Sequence, residues 1–324
     1  MPAPTDVLIL GGTGFVGRAL VARLVSRHFG GGGEITVPSR RPARAKALTS
    51  LPTVELVQAD VHDEATLARL VAGRDAVVNL VAILHGSQAQ FTHVHVDLPR
   101  KLAAACRRAG VRRLLHVSAL GVPDAGLAAP SRYLRSKTAG EAVLREAGLD
   151  LTLLRPSVIF GEDDRFLNLF ARLQALLPVM PLAGADARFQ PVWVEDVAQA
   201  IAVCLDDPST IGQTLELAGP HVYTLSELAR LAGRWSGHER AVLPLPDALA
   251  RLQAGLLALL PGEPLMSTDN LDSMRVPNVA SGRWPGLARL GITPTPLEAV
   301  APAWLGRRSP EARLDVLREA ARRD

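Results

Sequence analysis

Apolar runs of strand length alternate with helical periodicities along the first half of this chain. Val7-Leu8-Ile9-Leu10 is a short continuous apolar run, and behind it Val16, Leu20, Leu24 and Val25 recur on one helical face. Ile35-Thr36-Val37 and Val54-Glu55-Leu56-Val57 read as further strands. So does the run from Asp75 to Leu84, broken by Asn79, whose composition suits a strand buried on both faces. Asp63 is placed to cap a short helix carrying Leu67, Leu70 and Val71. Asp97-Leu98-Pro99 reads as the start of another helix, running to Gly110, with its proline in the first turn where a missing N–H costs nothing. Arg113 to Ser118 is a fifth strand and Leu151 to Leu154 a sixth. Strands alternating with helices predict an α/β protein with a parallel, doubly wound sheet.

The first strand runs into Gly11-Gly12-Thr13-Gly14-Phe15-Val16-Gly17, and a helix follows. Strand, glycine turn and helix together form the setting a phosphate-binding turn needs. Gly11 permits the sharp turn, Gly14 leaves the backbone open to a pyrophosphate, and Gly17 lets the helix pack closely on the strand. The free N–H groups of Thr13 to Val16 and the positive helix end would then face the phosphates. At the end of the second strand stands Ser39-Arg40-Arg41, with Arg44 and Lys46 following and no acid. A basic residue there accommodates the 2′-phosphate of NADP, so NADP(H) is expected, with NAD(H) as the alternative. The same charges could also be a solvated run leading into a helix. Asp60-Val61 would lie at the adenine, and Leu80-Val81-Ala82 beneath the cofactor. The expected architecture is therefore a Rossmann-type core over residues 1–157. Residues 158–324 form a small C-terminal α/β lobe on the substrate side, some of whose segments return to the core sheet.

A second constellation is Ser118, at the carboxyl end of the fifth strand, with Tyr133 and Lys137. Four residues apart on a helix, Tyr133 and Lys137 share a face. An ammonium beside a phenol, near a cationic nicotinamide ring, would favour the phenolate. Tyr133 could then exchange a proton with a substrate hydroxyl or carbonyl whose oxygen Ser118 holds.

These residues resemble the extended or atypical short-chain dehydrogenases/reductases of the epimerase/dehydratase superfamily. The resemblance implies catalytic roles for Ser118, Tyr133 and Lys137, and cofactor contacts at Gly11, Gly14, Gly17, Arg40, Asp60, Arg155 and Pro156. The segment from Gly121 to Arg132 is short for that group, which counts against a large nucleotide-sugar substrate. Further stretches narrow the resemblance: Ser131 to Arg135, Arg155 to Asn168, Gln190 to Val197, and Pro294 to Glu298. They are similar to the family of the dehydrogenase-like accessory subunit of respiratory complex I (alpha-subcomplex subunit nine) and its bacterial relatives. That similarity implies tight NADPH binding and a structural, assembly or redox-sensing role. The alternative is an active NADP-dependent oxidoreductase, epimerase or dehydratase.

Composition removes other classes. With 324 residues, 48% of them hydrophobic, the chain can bury a sizeable core, and a formal charge of +4 is too small to argue for nucleic acid. Cys106 and Cys204 lie in alanine- and valine-rich helical patterns and read as small core residues in a reducing compartment. His93 and His95 are too close and too isolated to read as a metal site. The N-terminus lacks the basic region of a signal peptide, and no stretch reaches the roughly 18 apolar residues of a membrane span. The expected location is the cytoplasm, peripheral at the inner membrane if a membrane complex is the partner. Glu162-Asp163-Asp164 reads as an acidic cap, with Arg165 free either to reach a substrate or to pair with Asp163. Pro244 to Met266 reads as a leucine-rich lid or docking surface, and Ser309 to Arg323 as a solvated terminal helix.

Overall fold

The structure, a computed structural model, describes residues 5–28, 33–123, 128–257 and 266–306. The chain forms two compact units, the first made of residues 1–156, 194–217 and 280–293, the second of 157–193, 218–279 and 294–324. Gly30 to Gly32, Ser309 to Arg323 and part of the Pro244–Met266 segment lie outside the described residues.

The first unit is built on seven parallel strands: β1 (Val7–Leu10), β2 (Ile35–Ser39), β3 (Val54–Gln58), β4 (Ala76–Asn79), β5 (Arg113–Val117), β6 (Asp150–Pro156) and β7 (Thr214–Leu217). Their order is β7-β6-β5-β4-β1-β2-β3. β1 and β4 are buried throughout, as strands inside a doubly covered sheet are. The α-helices of five or more described residues in this unit are α1 (Phe15–His28), α2 (Glu64–Val71), α3 (Gln88–Thr92), α4 (Leu98–Ala109), α5 (Arg132–Arg145) and α6 (Val194–Asp206). Asp63 caps α2 as its spacing predicted, accepting from the Thr66 backbone N–H at 2.8 Å. One core cluster joins Leu8, Leu10, Leu67, Leu102, Leu114 and Leu153.

Two local expectations are corrected. The fourth strand stops at Asn79, so Leu80-Val81-Ala82 is not strand. Asn79 Oδ1 accepts from the Val81 backbone N–H at 3.1 Å and its Nδ2 sits 3.1 Å from His116 Nδ1, a local turn that ends the ladder. Nor does a helix begin at Asp97, whose side chain makes no cap bond. It begins at Ser87, where Ser87 and Gln90 form a capping box, and continues through α3 and a π turn (His93–Asp97) into α4. Pro99 therefore lies inside a helical run, where it cannot bond the His95 carbonyl and its ring would crowd it. The π turn relieves this, and Gly140 of α5 receives the displaced oxygen: a Cβ there would overlap the His95 carbonyl.

In the second unit, helix Leu167–Leu176 packs on helix Leu225–Trp235, and strand Val179–Ala183 pairs in parallel with Ala241–Leu245. Phe160, Phe170, Leu182, Leu228 and Trp304 share its core. Asp164 is the buried member of the acidic triplet and accepts from the Gly161, Phe166 and Asn168 backbone N–H groups. Leu249 and Leu252 of helix Asp247–Leu257 are exposed.

Candidate functional site

The glycine turn has the backbone its sequence requires. Gly11 takes φ +83°, beside the backbone of Leu80 and Val81. Gly14 is exposed, and a Cβ there would meet only the Gly11 carbonyl oxygen, at 3.1 Å. A Cβ on Gly17 would overlap Gly11 and Gly12 backbone atoms. Gly12, which the motif reading left without a role, is required by packing: its Cβ would stand 2.8 Å from Val37 Cγ1. Three glycines thus answer to the protein's own packing, whereas at Gly14 the space lies outside the protein, where a ligand backbone would approach. Phe15 and Val16 open α1 directly behind the turn.

Gly11 and Thr13 also wall a cleft of about 620 Å³. Pro38, Ser39, Arg40 and Arg41 line it from the end of β2, then Arg44, then Asp60, Val61 and His62 beyond β3, and Val81 beyond β4. Gly11, Thr13, Ser39, Arg40, Arg41, Asp60, Val61 and Val81, all picked from the sequence as cofactor residues, therefore converge on one surface. Arg40, Arg41 and Arg44 are exposed, and no hydrogen bond or ion pair among the described residues holds their guanidinium groups. Asp60 Oδ1 accepts from the His62 backbone N–H at 3.0 Å, shaping this wall. The His62 ring stacks on His93 with centroids 4.1 Å apart, and burial lowers its basicity.

Ser118, Tyr133 and Lys137 come from two neighbouring elements. Ser131 caps α5 through the Leu134 N–H, which places Tyr133 and Lys137 one turn apart on it. Lys137 Nζ donates to the Val117 carbonyl at 3.2 Å, joining α5 to the end of β5 beside Ser118. Ser118 is 4% exposed, and its buried Oγ has no hydrogen-bond partner among the described residues. A buried hydroxyl left unpaired is costly, which makes this oxygen a candidate contact for a bound molecule. Pro156 closes β6 nearby, its carbonyl accepting from the Leu120 N–H at 2.9 Å.

Two features bear on the expected chemistry. Burial raises the Tyr133 phenol well above its ordinary range, which favours the neutral form. The nearby Lys137 ammonium is directed at the Val117 carbonyl. Arg155 is not available to a cofactor. Its guanidinium forms a bidentate pair with Glu141 at 2.9 and 2.7 Å, both side chains almost fully buried.

Burial also drives Lys137 down to about 8, against an opposing pull from Glu141. Desolvation, then the Lys137 charge, pushes His116 down to about 3. The same causes, in the same order, push His95 to about 2, with a smaller contribution from His116. Both histidines are therefore neutral at physiological pH, around a lysine that is mostly cationic. Sequence reading missed both imidazoles. The only signal was that His116 and Ser118 share the end of one strand.

A glycine turn at the head of a parallel sheet, with a strand-end serine tied to a tyrosine- and lysine-bearing helix, defines a dinucleotide-binding α/β protein. Residues 11–208 match the NAD(P)H-binding family, and the chain belongs to it. It is 33% identical over 298 residues to NADH dehydrogenase (ubiquinone) 1 alpha subcomplex subunit 9 of Mus musculus, covering 90% of this chain and 77% of that one. It is 32% identical over 243 residues to a ceramide reductase of Caulobacter vibrioides, covering 74% of each. Among solved structures, a dTDP-glucose 4,6-dehydratase from Streptomyces venezuelae shares its fold at a TM-score of 0.67 and 24% identity, over 83% of this chain and 96% of that one. The kinship with the complex I subunit-nine proteins and with the epimerase/dehydratase fold, expected from the motifs, is borne out.

Proposed function

We propose that this protein binds NADP(H) and holds it in a complex I accessory, assembly or redox-sensing role, peripheral to the inner membrane. The observation that carries the nucleotide assignment is the group of three arginines, Arg40, Arg41 and Arg44, lining the cleft with unengaged guanidinium groups. A guanidinium recognises a phosphate dianion through paired, charge-assisted hydrogen bonds, and no carboxylate stands at the end of β2 to receive a ribose 2′-hydroxyl instead. The partner assignment rests on the subunit-nine relatives. Among the described residues no helix is long and apolar enough to cross a membrane.

A second reading, an active reductase of a small carbonyl compound, is favoured by the unpaired Ser118 Oγ. NADPH held in the cleft would supply the hydride for the carbonyl carbon. Ser118 Oγ–H holds the carbonyl oxygen, and the neutral Tyr133 hydroxyl transfers its proton to that oxygen as charge develops there. Lys137, mostly cationic, then stabilises the tyrosinate left behind. A tyrosine held as the phenol suits reduction over oxidation.

Native mass spectrometry of the freshly purified protein, followed by release of nucleotide and incubation with NADPH, tests the first reading. Stoichiometric NADP(H) that resists exchange is expected. An empty or rapidly exchanging site, with turnover of small carbonyl compounds that Tyr133→Phe abolishes, would replace it with the second.

A further inference from the structure

His95 is a buried titratable group that neither reading uses. It sits in the π turn between α3 and α4, and such turns recur where a fold must aim a side chain. Only 2% of it is exposed, and both ring nitrogens are engaged. The Ile83 backbone N–H donates to Nε2 at 3.2 Å, so Nε2 carries the lone pair and the proton lies on Nδ1. Nδ1–H donates to Ser136 Oγ at 2.8 Å, and Ser136 Oγ–H donates to the Tyr133 carbonyl at 2.7 Å. The imidazole also meets the Tyr133 ring edge to face, centroids 5.6 Å apart at 81°. Phe91 closes on both rings, 5.6 Å from His95 and 6.1 Å from Tyr133.

One imidazole thus ties the segment that follows β4 to the backbone and ring of Tyr133. We propose that His95 is a positioning residue for Tyr133, fixing the orientation of the phenol relative to the Leu80–Ile83 segment. This rests on the reading of Tyr133 as the proton donor, and its test does not require turnover. It also explains why a π turn is kept: a regular turn would leave Pro99 crowding the His95 carbonyl and rotate the imidazole away from Ser136.

The chain has two tyrosines, Tyr133 and Tyr223. Incorporated 3-fluorotyrosine therefore gives two 19F resonances, assigned with Tyr223→Phe. His95→Leu should shift the Tyr133 resonance and broaden or split it, leaving that of Tyr223 in place and NADPH affinity within about twofold. His95→Gln, whose amide can accept from Ile83 and donate to Ser136, should restore a single resonance. Ser136→Ala keeps the imidazole but removes its acceptor, and should reproduce the broadening should His95→Leu not fold. With a reducible substrate, His95→Leu should lower kcat about 10- to 100-fold with little change in KM, the effect of a small misplacement of a reacting group. An unchanged Tyr133 resonance in His95→Leu and Ser136→Ala overturns the proposal. So does an equal loss of NADPH affinity in His95→Leu and His95→Gln, which marks a purely structural role. Loss of the proton-donor reading would show separately, as turnover that survives Tyr133→Phe.

Discussion

Replacing Lys137 by methionine should make the nucleotide-free protein more stable at neutral pH. The side chain is 2% exposed, and its ammonium is held by the Val117 carbonyl at 3.2 Å. Burial lowers its proton affinity from 10.5 to about 8. At about 1.4 kcal/mol for each tenfold change, that displacement is a cost to the folded state on the order of 3 kcal/mol wherever the amine is protonated. Removing the ammonium also leaves the Val117 carbonyl one donor short, which offsets about 1 kcal/mol. Methionine matches the volume and flexibility of the lysine stem, so little packing is lost. The net gain at pH 7 is therefore roughly 1–2 kcal/mol, or about 2–3 °C in Tm for a chain of this length.

The pH dependence follows from the sign of the displacement. Below pH 8 the amine is protonated in both the folded and unfolded chains, and the full cost is present. Between pH 8 and 10.5 the folded protein has released the proton while the unfolded chain keeps it, so wild-type stability rises with pH across that window. The advantage of Lys137→Met should accordingly shrink from pH 8 upward and vanish near pH 10.5. Circular-dichroism melts of both proteins at pH 7, 9 and 10.5 measure this. A methionine variant less stable than wild type at pH 7, or a difference that does not change with pH, would overturn this account of the buried ammonium. The same variant should bind NADPH at least tenfold more weakly, since a charged donor is worth about 1.5–3 kcal/mol to the group it contacts. A residue that destabilises the empty protein and stabilises the loaded one fits the trade between stability and function.

Arg40→Asp should weaken NADPH at least tenfold more than NADH in calorimetric titrations, because an acid repels the 2′-phosphate; equal loss of both nucleotides would remove the phosphate assignment. Gly14→Val should abolish binding of either nucleotide with little change in Tm, since a Cβ at that exposed position meets only the Gly11 carbonyl oxygen; unchanged affinity would show that no pyrophosphate approaches there. Glu141→Leu should cost about 3–5 kcal/mol in urea denaturation by leaving the Arg155 guanidinium buried and unpaired, and a loss below 1 kcal/mol would mean that the pair is not sealed from water.

Much of the fold is legible in the sequence because its determinants are local. A short apolar run bounded by turn residues suits a strand in a covered sheet, which is why β1, and β4 within the run from Asp75 to Leu84, stand out from the pattern of residues alone. Asp63 and Thr66 are three residues apart, so their cap can be read from spacing. The glycine turn is local too, and its strand–turn–helix setting marks it. The two departures in local structure occur where tertiary contact decides. Asp97-Leu98-Pro99 looks like a helix start by every local rule, yet Gly140, from a different helix, accommodates the His95 carbonyl and lets the run continue. The strand ending at Asn79 depends in the same way on its side-chain bond to His116 of β5.

At the site, the order of amino acids already settles which residue types are present and which of them lie together: Tyr133 with Lys137 on one helical face, and Arg40, Arg41 and Arg44 behind β2. Their state is set by the fold. Burial, which no spacing encodes, pushes the Tyr133 phenol towards its neutral form. Arg155 is claimed by Glu141 from another element, and His95 acquires its tautomer from a backbone N–H twelve residues earlier. The division is physical. Periodicity, turns and caps act over one or two turns of chain, whereas desolvation and ion pairing depend on what the fold brings within a few ångströms from elsewhere.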